Sequence, residues 1–108
     1  MAADPGYLEH VLEWLASIGG VTPKAMFGSS CLFHEGDMFG LISRTTSTLY
    51  FKVSDSNRSA YEGAGSEKFP HMPYYEVPAD VLEDVDALQE WARIAIDVGH
   101  ATATKKRR

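Results

Sequence analysis

Three short β-type runs joined by turn-rich segments constrain the fold of this chain more than any other feature. Residues 28–34 alternate in polarity, residues 38–43 read MFGLIS, and residues 48–53 read TLYFKV. β-branched and aromatic side chains are enriched in strands, and Gly36 in the HEGD segment suits a tight hairpin turn with positive φ. The RTTS segment supplies the second connection. Residues 28–53 are therefore predicted to form an antiparallel meander.

A helical pattern precedes the meander. Asp4 followed by Pro5 predicts a helix start, because a capping carboxylate then stands before a proline in the first turn. Apolar side chains spaced by three and four positions form one stripe after it: Leu8, Val11, Leu12 and Leu15. Gly19 and Gly20 end the pattern, which predicts a helix over residues 5–18. Residues 21–27 are expected to be an extended link, since Pro23 disfavours helix before it.

The second half of the chain alternates helix and strand signals. A short helix is predicted over residues 55–63, and an edge strand over residues 74–77, between Pro73 and Pro78. A final helix is predicted from Asp80 or Asp84 to Val98. The fold class is therefore α+β: an antiparallel meander sheet of about four strands, with an N-terminal helix, a short middle helix and a C-terminal helix.

The length of the chain limits the number of domains, and its charge limits the classes of partner that it can bind. The 108 residues fit a single domain over residues 1–98, followed by a flexible basic tail over residues 99–108. The formal net charge is −5, and Lys105, Lys106, Arg107 and Arg108 contribute +4, so residues 1–104 carry −9. Because an acidic body repels phosphate backbones, nucleic-acid binding is expected only weakly, and only through this tail.

The sequence favours a cytoplasmic location. No apolar run approaches the roughly 18 residues of a membrane span, so no membrane contact is expected. The acidic N-terminus lacks the basic region of a signal peptide. A single cysteine excludes an internal disulfide, which fits a reducing compartment.

Candidate reactive residues lie in the first predicted strand. Cys31 and His34 fall on opposite faces of a regular strand, which argues against a local nucleophile–base pair. No helix start or neighbouring cation lowers the thiol pKa, so Cys31 is interpreted as a small buried hydrophobe. A fold that brings Cys31, His34 and His71 together remains open, and would make the protein a small enzyme or a ligand-binding protein.

Metal and cofactor motifs are absent from the sequence. His34, Glu35 and Asp37 lie close together, while His10, His71 and His100 are scattered. No pair has the His-x-x-x-His or Cys-x-x-Cys spacing that fixes two ligands together, and a polar hairpin tip explains HEGD equally well. No glycine-rich phosphate loop is present. No metal, cofactor or catalytic residue is therefore predicted.

The adjacent Tyr74 and Tyr75 give the strongest indication of binding. Neighbouring residues in a strand face opposite sides, so one tyrosine is expected to be exposed or half exposed on an edge strand. Such an edge is able to pair with another chain, which makes Tyr74 and Tyr75 candidate interaction residues. The partner is an unknown protein, and a homodimer is one form that this contact could take.

Several segments together resemble a known family. MFG at 26–28, GDMFGLI at 36–42, LYFKVSDSNRSAYEGAGSEKF at 49–69, MPYYEVPADVLED at 72–84 and LQEWARIAI at 88–96 are similar, in order and spacing, to the N-terminal domain of the TfoX/Sxy family. The likeness covers about residues 7–98. This chain is similar to stand-alone members of that family, which lack the C-terminal domain of the longer proteins.

The resemblance implies a function and a structural motif. The family takes its name from regulators of bacterial competence for DNA uptake, so the resemblance implies a non-catalytic regulatory domain that acts through protein–protein contacts, with a link to transcription. The resemblance implies no catalytic motif in this chain. The resemblance also makes Met26, Phe27 and Gly28 a structural motif, with Gly28 as the backbone pivot at the start of the first strand. Ser29 stands where the family often has a second glycine.

Overall fold

The computed structural model describes residues 6–26 and 28–106, and it confirms the α+β class. The elements, in chain order, are α1 (Tyr7–Trp14), β1 (Val21–Met26), β2 (Ser29–His34), β3 (Asp37–Ser43), β4 (Leu49–Lys52), α2 (Arg58–Gly63), β5 (Tyr74–Glu76), α3 (Ala79–Leu82) and α4 (Val85–Lys106). The five strands form one sheet in the order β1-β2-β3-β4-β5, with every neighbouring pair antiparallel. The predicted meander therefore exists, with one strand more than the four expected.

The additional strand is β1, which replaces the link expected over residues 21–27. It pairs with β2 along its whole length, from Val21 opposite His34 to Met26 opposite Ser29. Its four central residues are exposed, so its sequence shows no buried alternation that would have predicted a strand. Strand β1 is therefore held in place by its backbone hydrogen bonds to β2, and side-chain burial contributes little.

The N-terminal helix is shorter than predicted. Helix α1 ends at Trp14, and turns carry the chain through residues 15–18 to Gly19 and Gly20, which both have positive φ. Leu15 lies in these turns and is still fully buried, because Leu15 belongs to the predicted apolar stripe. The capping pair expected at Asp4 and Pro5 lies outside the described residues.

Helix α2 begins at Arg58 instead of residue 55, because a polar turn precedes it. The Asn57 side-chain oxygen accepts a hydrogen bond from the Ser54 N–H at 2.8 Å, and its amide nitrogen donates to the Lys52 carbonyl at 3.2 Å. These local bonds give the backbone an alternative to the helix.

The last helix is longer than predicted, and the end expected at Val98 is wrong. Helix α4 continues through Gly99 to Lys106. Gly99 does not end the helix; it lets α4 approach β3, since a Cβ at Gly99 would lie 2.7 Å from the Met38 carbonyl oxygen. Packing contacts therefore continue beyond residue 98, while the domain boundary at residue 98 and the flexibility expected for residues 99–108 stay predictions.

The two faces of the sheet differ in what covers them. The main core lies on one face and contains buried side chains from all four helices, among them Val11, Tyr61, Val81 and Leu88, packed against strand residues such as Phe51. We call this the helix-covered face. The opposite face carries a second cluster of sheet and loop residues alone, which we call the open face. None of the helices in the described part of the chain is long and apolar enough to cross a membrane.

Candidate functional site

The open face carries an apolar surface. Cys31, Leu41 and Tyr74 are buried at its centre. Six partly buried side chains pack around them: Met26, Phe33, Met38, Tyr50, Phe69 and Met72. We call these six residues the open-face patch. Contiguous apolar patches on a small protein often mark interaction sites, and methionine adapts its shape to irregular partners.

The tyrosine pair lies at the predicted edge strand, and the two residues face opposite sides as expected. Tyr75 is half buried on the helix-covered face, where its ring lies 5.9 Å from that of Tyr61. Tyr74 is only 2% exposed and lies on the open face, with the Lys52 ammonium 5.6 Å from its ring centre. Burial raises the pKa of the Tyr74 phenol, and the negative charge of the nearby Cys31 sulfur, when ionised, raises it further. Tyr74 is therefore a core residue.

The outer edge of β5 is already paired within the chain. The Tyr74 carbonyl accepts a hydrogen bond from the Phe69 N–H at 2.7 Å, and the Glu76 N–H donates to the Glu67 carbonyl at 2.9 Å. The segment from Glu67 to Phe69 thus occupies the positions that an added strand would need. The expectation that β5 offers an open edge is wrong for this reason, and the role of Tyr74 and Tyr75 in binding stays a prediction.

Cys31 behaves as the buried hydrophobe that the sequence predicts. It is 1% exposed, and burial raises its thiol pKa, which keeps the sulfur protonated and poorly nucleophilic. It lies on the open face, whereas His34 contacts α4 on the helix-covered face. His71 is exposed in the loop before β5. The structure therefore separates Cys31 from His34, and the alternative of an enzyme or a ligand site built on Cys31, His34 and His71 gains no support from these contacts.

The remaining sequence candidates lie at the ends of elements. Met26 ends β1 and joins the open-face cluster, and Gly28 adopts a φ of 71° in the turn to β2, as its pivot role requires. Phe27 lies outside the described residues. The side chains of Lys105, Lys106, Arg107 and Arg108 also lie outside them, so weak nucleic-acid contact through this tail stays a prediction.

A second site, which the sequence did not predict, joins the β2–β3 hairpin to α4. Nδ1 of His34 lies 2.8 Å from Nε2 of His100, and Nδ1 of His100 lies 2.7 Å from a carboxylate oxygen of Asp37. The side chain of His100 is 33% exposed and that of Asp37 is 10% exposed. A ligand atom of Glu35 lies within 4.8 Å of the His34 and His100 ligand atoms. We call His34, Glu35, Asp37 and His100 the histidine cluster.

The hydrogen bonds of the histidine cluster fix the roles of its ring nitrogens. A carboxylate only accepts, so Nδ1 of His100 carries the proton that it donates to Asp37. In neutral His100, Nε2 then presents a lone pair, and the Nδ1–H of His34 donates to it. The arrangement is a carboxylate–imidazole–imidazole chain, partly open to solvent.

Local backbone geometry builds the cluster. Glu35 and Gly36 form a two-residue turn with φ of 51° and 93°, which places His34 and Asp37 side by side at the ends of β2 and β3. Gly20 closes one side: its carbonyl accepts the Glu35 N–H at 3.3 Å, and a Cβ at Gly20 would lie 3.3 Å from Nε2 of His34.

His100 is the residue that sequence reasoning missed, because it was assigned to the tail. A usable signal exists: Ala92, Ile96 and His100 follow one another at a spacing of four, so the helical pattern continues past Gly99.

Comparison with known proteins identifies the family. A sequence model of the TfoX N-terminal domain matches residues 13–99 of the 108-residue chain. This range includes all five strands, the open-face patch and most of α4. No curated protein matches the chain. The match spans most of the sequence, and the chain therefore belongs to the TfoX N-terminal domain family.

Proposed function

We propose that this domain is a non-catalytic regulatory module that binds a protein partner through its open-face patch, in a pathway linked to competence and transcription. Membership of the TfoX N-terminal domain family supports a competence-related regulatory role. The single observation that supports the binding mode is the apolar sheet face that no helix of the described chain covers.

The edges of the sheet are poor binding surfaces, which favours the open face. The outer edge of β5 is paired with the segment from Glu67 to Phe69. At the other edge, β1 carries Pro23 and Lys24, residue types that discourage strand addition. Partner binding by β-augmentation is therefore disfavoured at both edges. The faces of the sheet remain as candidate binding surfaces, and helices already cover one of them.

The partner is expected to be an amphipathic helix of another protein. Helices already cover one face of the sheet, and a helix across the open face would complete a three-layer arrangement. Its apolar side chains would contact the open-face patch, whose aromatic centre includes the edge-to-face pair of Tyr50 and Phe69 at 5.0 Å. The acidic body of the domain disfavours nucleic acid as the alternative partner.

A pair of variants tests this surface. Phe33→Arg and Met38→Arg replace cross-strand neighbours in the open-face patch. Ile94→Arg is the matched control, because Ile94 is an exposed hydrophobic residue, 43% accessible, on α4. We expect the double patch variant to lose a partner that wild type and the Ile94→Arg variant both retain in affinity capture from the native host, followed by mass spectrometry.

A second measurement guards against unfolding of the arginine variants. A photo-crosslinking phenylalanine analogue at position 33 keeps the aromatic character of the patch, and the same analogue at position 94 serves as control. Crosslinking of one protein from position 33 alone supports the proposal. Equal yields at positions 33 and 94, or no crosslink from position 33, would contradict it. A crosslinked product of twice the chain mass would identify the partner as a second copy.

The competence link needs its own readout. We expect a host strain that lacks the gene to show altered transformation frequency, restored by wild type and by Ile94→Arg but not by the double patch variant. Restoration by all three forms would show that the patch has no part in this regulation. An unchanged frequency in the deletion strain would contradict the competence link itself.

A further inference from the structure

We propose that His34, Glu35 and His100 bind a divalent transition-metal ion, with Asp37 orienting the His100 ring. Two imidazoles and one carboxylate, each offering one ligand atom within 4.8 Å of the others, form the ligand set. Imidazole nitrogen and carboxylate oxygen suit Ni²⁺, Co²⁺ and Zn²⁺, and a ligand set of this composition leaves positions for water. This site lies apart from the open-face patch, and the inference does not rest on the proposed function.

The distance between the two nitrogens indicates the coordination geometry. With metal–nitrogen bonds of about 2.0–2.1 Å, nitrogens 2.8 Å apart subtend an angle of about 86° at the metal. A tetrahedral ion would require them to be about 3.3 Å apart at the same bond length. The observed spacing therefore favours adjacent positions of a six-coordinate ion. The ion would lie to one side of the line between the two nitrogens, and the proton now on Nδ1 of His34 would move to Nε2 of the same ring, which keeps the imidazole neutral.

Asp37 supplies the support that a ligating histidine needs. Metal-binding imidazoles commonly donate their second N–H to a carboxylate, which fixes the tautomer and strengthens the other nitrogen as a ligand. The 2.7 Å contact between Nδ1 of His100 and Asp37 has this form, and it directs Nε2 toward His34. The same contact anchors α4 to the β2–β3 hairpin, so the ligands come from two packed elements.

The surroundings leave room for the ion and its waters. His100 is one-third exposed and Glu35 is exposed, so the site opens to solvent. Gly20 presents no side chain toward Nε2 of His34, where a Cβ would come within 3.3 Å, so this nitrogen has space to carry the ring proton while Nδ1 faces the ion. The packing of α4 on the β2–β3 hairpin therefore holds the His34 and His100 rings in place. The coordination positions on the solvent side of the ion would be filled by exchangeable water.

Titration of NiCl₂ into tag-free protein by calorimetry tests the site. We expect one ion per chain with a Kd at or below about 10 μM. Glu35→Asn removes the carboxylate but suits the positive φ of the turn, since Asn-Gly is the preferred pair there, so this variant keeps the fold. We expect it to weaken Ni²⁺ binding at least tenfold, His34→Gln to weaken it about a hundredfold, and Asp37→Asn to weaken it about tenfold.

The matched control is His71→Asn, which removes an exposed histidine with a φ of 63° from the loop before β5. This variant should bind Ni²⁺ like wild type. Wild-type affinity in Glu35→Asn or His34→Gln, equal losses in His71→Asn, or no saturable binding by the wild-type protein would each overturn the proposal.

Cobalt supplies an independent readout of the geometry. Six-coordinate Co²⁺ absorbs weakly in the visible region, whereas tetrahedral Co²⁺ absorbs strongly. We expect bound Co²⁺ to give a weak spectrum that disappears in His34→Gln. An intense tetrahedral spectrum would overturn the assigned coordination.

Discussion

At the scale of single residues, Gly99 determines how closely α4 packs on the sheet. A side chain at this position would place its Cβ 2.7 Å from the Met38 carbonyl oxygen, and a backbone atom has little freedom to move away. Alanine otherwise favours a helix over glycine by about 1 kcal/mol. The clash opposes that gain. Whether Gly99→Ala lowers or raises the free energy of unfolding therefore shows whether α4 packs this closely on the sheet.

We expect Gly99→Ala to lower the free energy of unfolding by about 1–3 kcal/mol, measured by urea denaturation, because α4 must shift away from β3. Gly63→Ala, at the end of α2, is the control: no atom lies within 4 Å of its Cβ position. It should be neutral or stabilising by up to about 1 kcal/mol. A stabilising Gly99→Ala would show that the close contact does not exist in solution.

Residues differ in how far the sequence predicts their roles. The burial of Cys31 follows from its position in an apolar strand, and the structure confirms it. The histidine cluster could not be predicted, because His34 and His100 are 66 positions apart and meet only when α4 packs on the β2–β3 hairpin. Short-range spacing shows ligands on one element, but it does not show ligands that the tertiary fold brings together.

At the scale of elements, the sequence predicts the four strands that carry buried side chains and misses β1, whose side chains are mostly exposed. The ranges predicted for β2, β3, β4 and β5 agree with the structure to within one residue at each end. The sequence predicts a link over residues 21–27 because Pro23 disfavours helix before it, and the structure shows that residues 22–25 of β1 are exposed. An edge strand held by backbone hydrogen bonds leaves little trace in the side-chain pattern.

The extension of α4 beyond Val98 makes a prediction at this scale. Deleting residues 99–108 removes the contact of His100 with Asp37 and the packing of Gly99 against Met38. We expect the melting temperature to fall by at least about 4–8 °C, the shift that a loss of 1 kcal/mol gives in a domain of this size. Deleting residues 105–108 alone should leave it within about 2 °C of wild type. Equal melting temperatures for the two truncations would contradict the packing of the last helical turns.

At the scale of the whole molecule, the two faces of the sheet form two separate clusters. The helix-covered face holds the larger core, and the open face holds a smaller cluster whose rim is partly exposed. This asymmetry divides the sheet into a face packed under helices and a face covered by sheet and loop residues alone. The alternation of apolar residues in β2 and β4 predicts two apolar faces, but it does not predict which of the two faces the helices cover.

Alkaline pH tests both clusters at once, because each contains a buried tyrosine. Burial raises the pKa of Tyr61 in the main core and of Tyr74 on the open face well above the ordinary value of 10.0. The unfolded chain therefore releases these protons at a lower pH than the folded one. The stability that they contribute is fully present below about pH 9 and is lost as the pH rises past 10. Each group lowers the free energy of unfolding by up to about 1.4 kcal/mol per pH unit.

We expect Tyr61→Phe and Tyr74→Phe each to reduce this slope by about that amount between about pH 10.5 and 12, in urea denaturation series. Tyr7, Tyr50 and Cys31 also have raised pKa values. Their contributions cancel when Tyr61→Phe is compared with wild type, whereas Tyr74→Phe also removes the charge interaction between Tyr74 and Cys31. Tyr61→Phe should cost little stability at pH 7, since the Tyr61 hydroxyl is buried with no hydrogen-bond partner in the described part of the chain. Because the two tyrosines lie on opposite faces, their effects should add in the double variant. A double variant with the slope of either single variant would contradict the independent contributions of the two tyrosines to the unfolding transition.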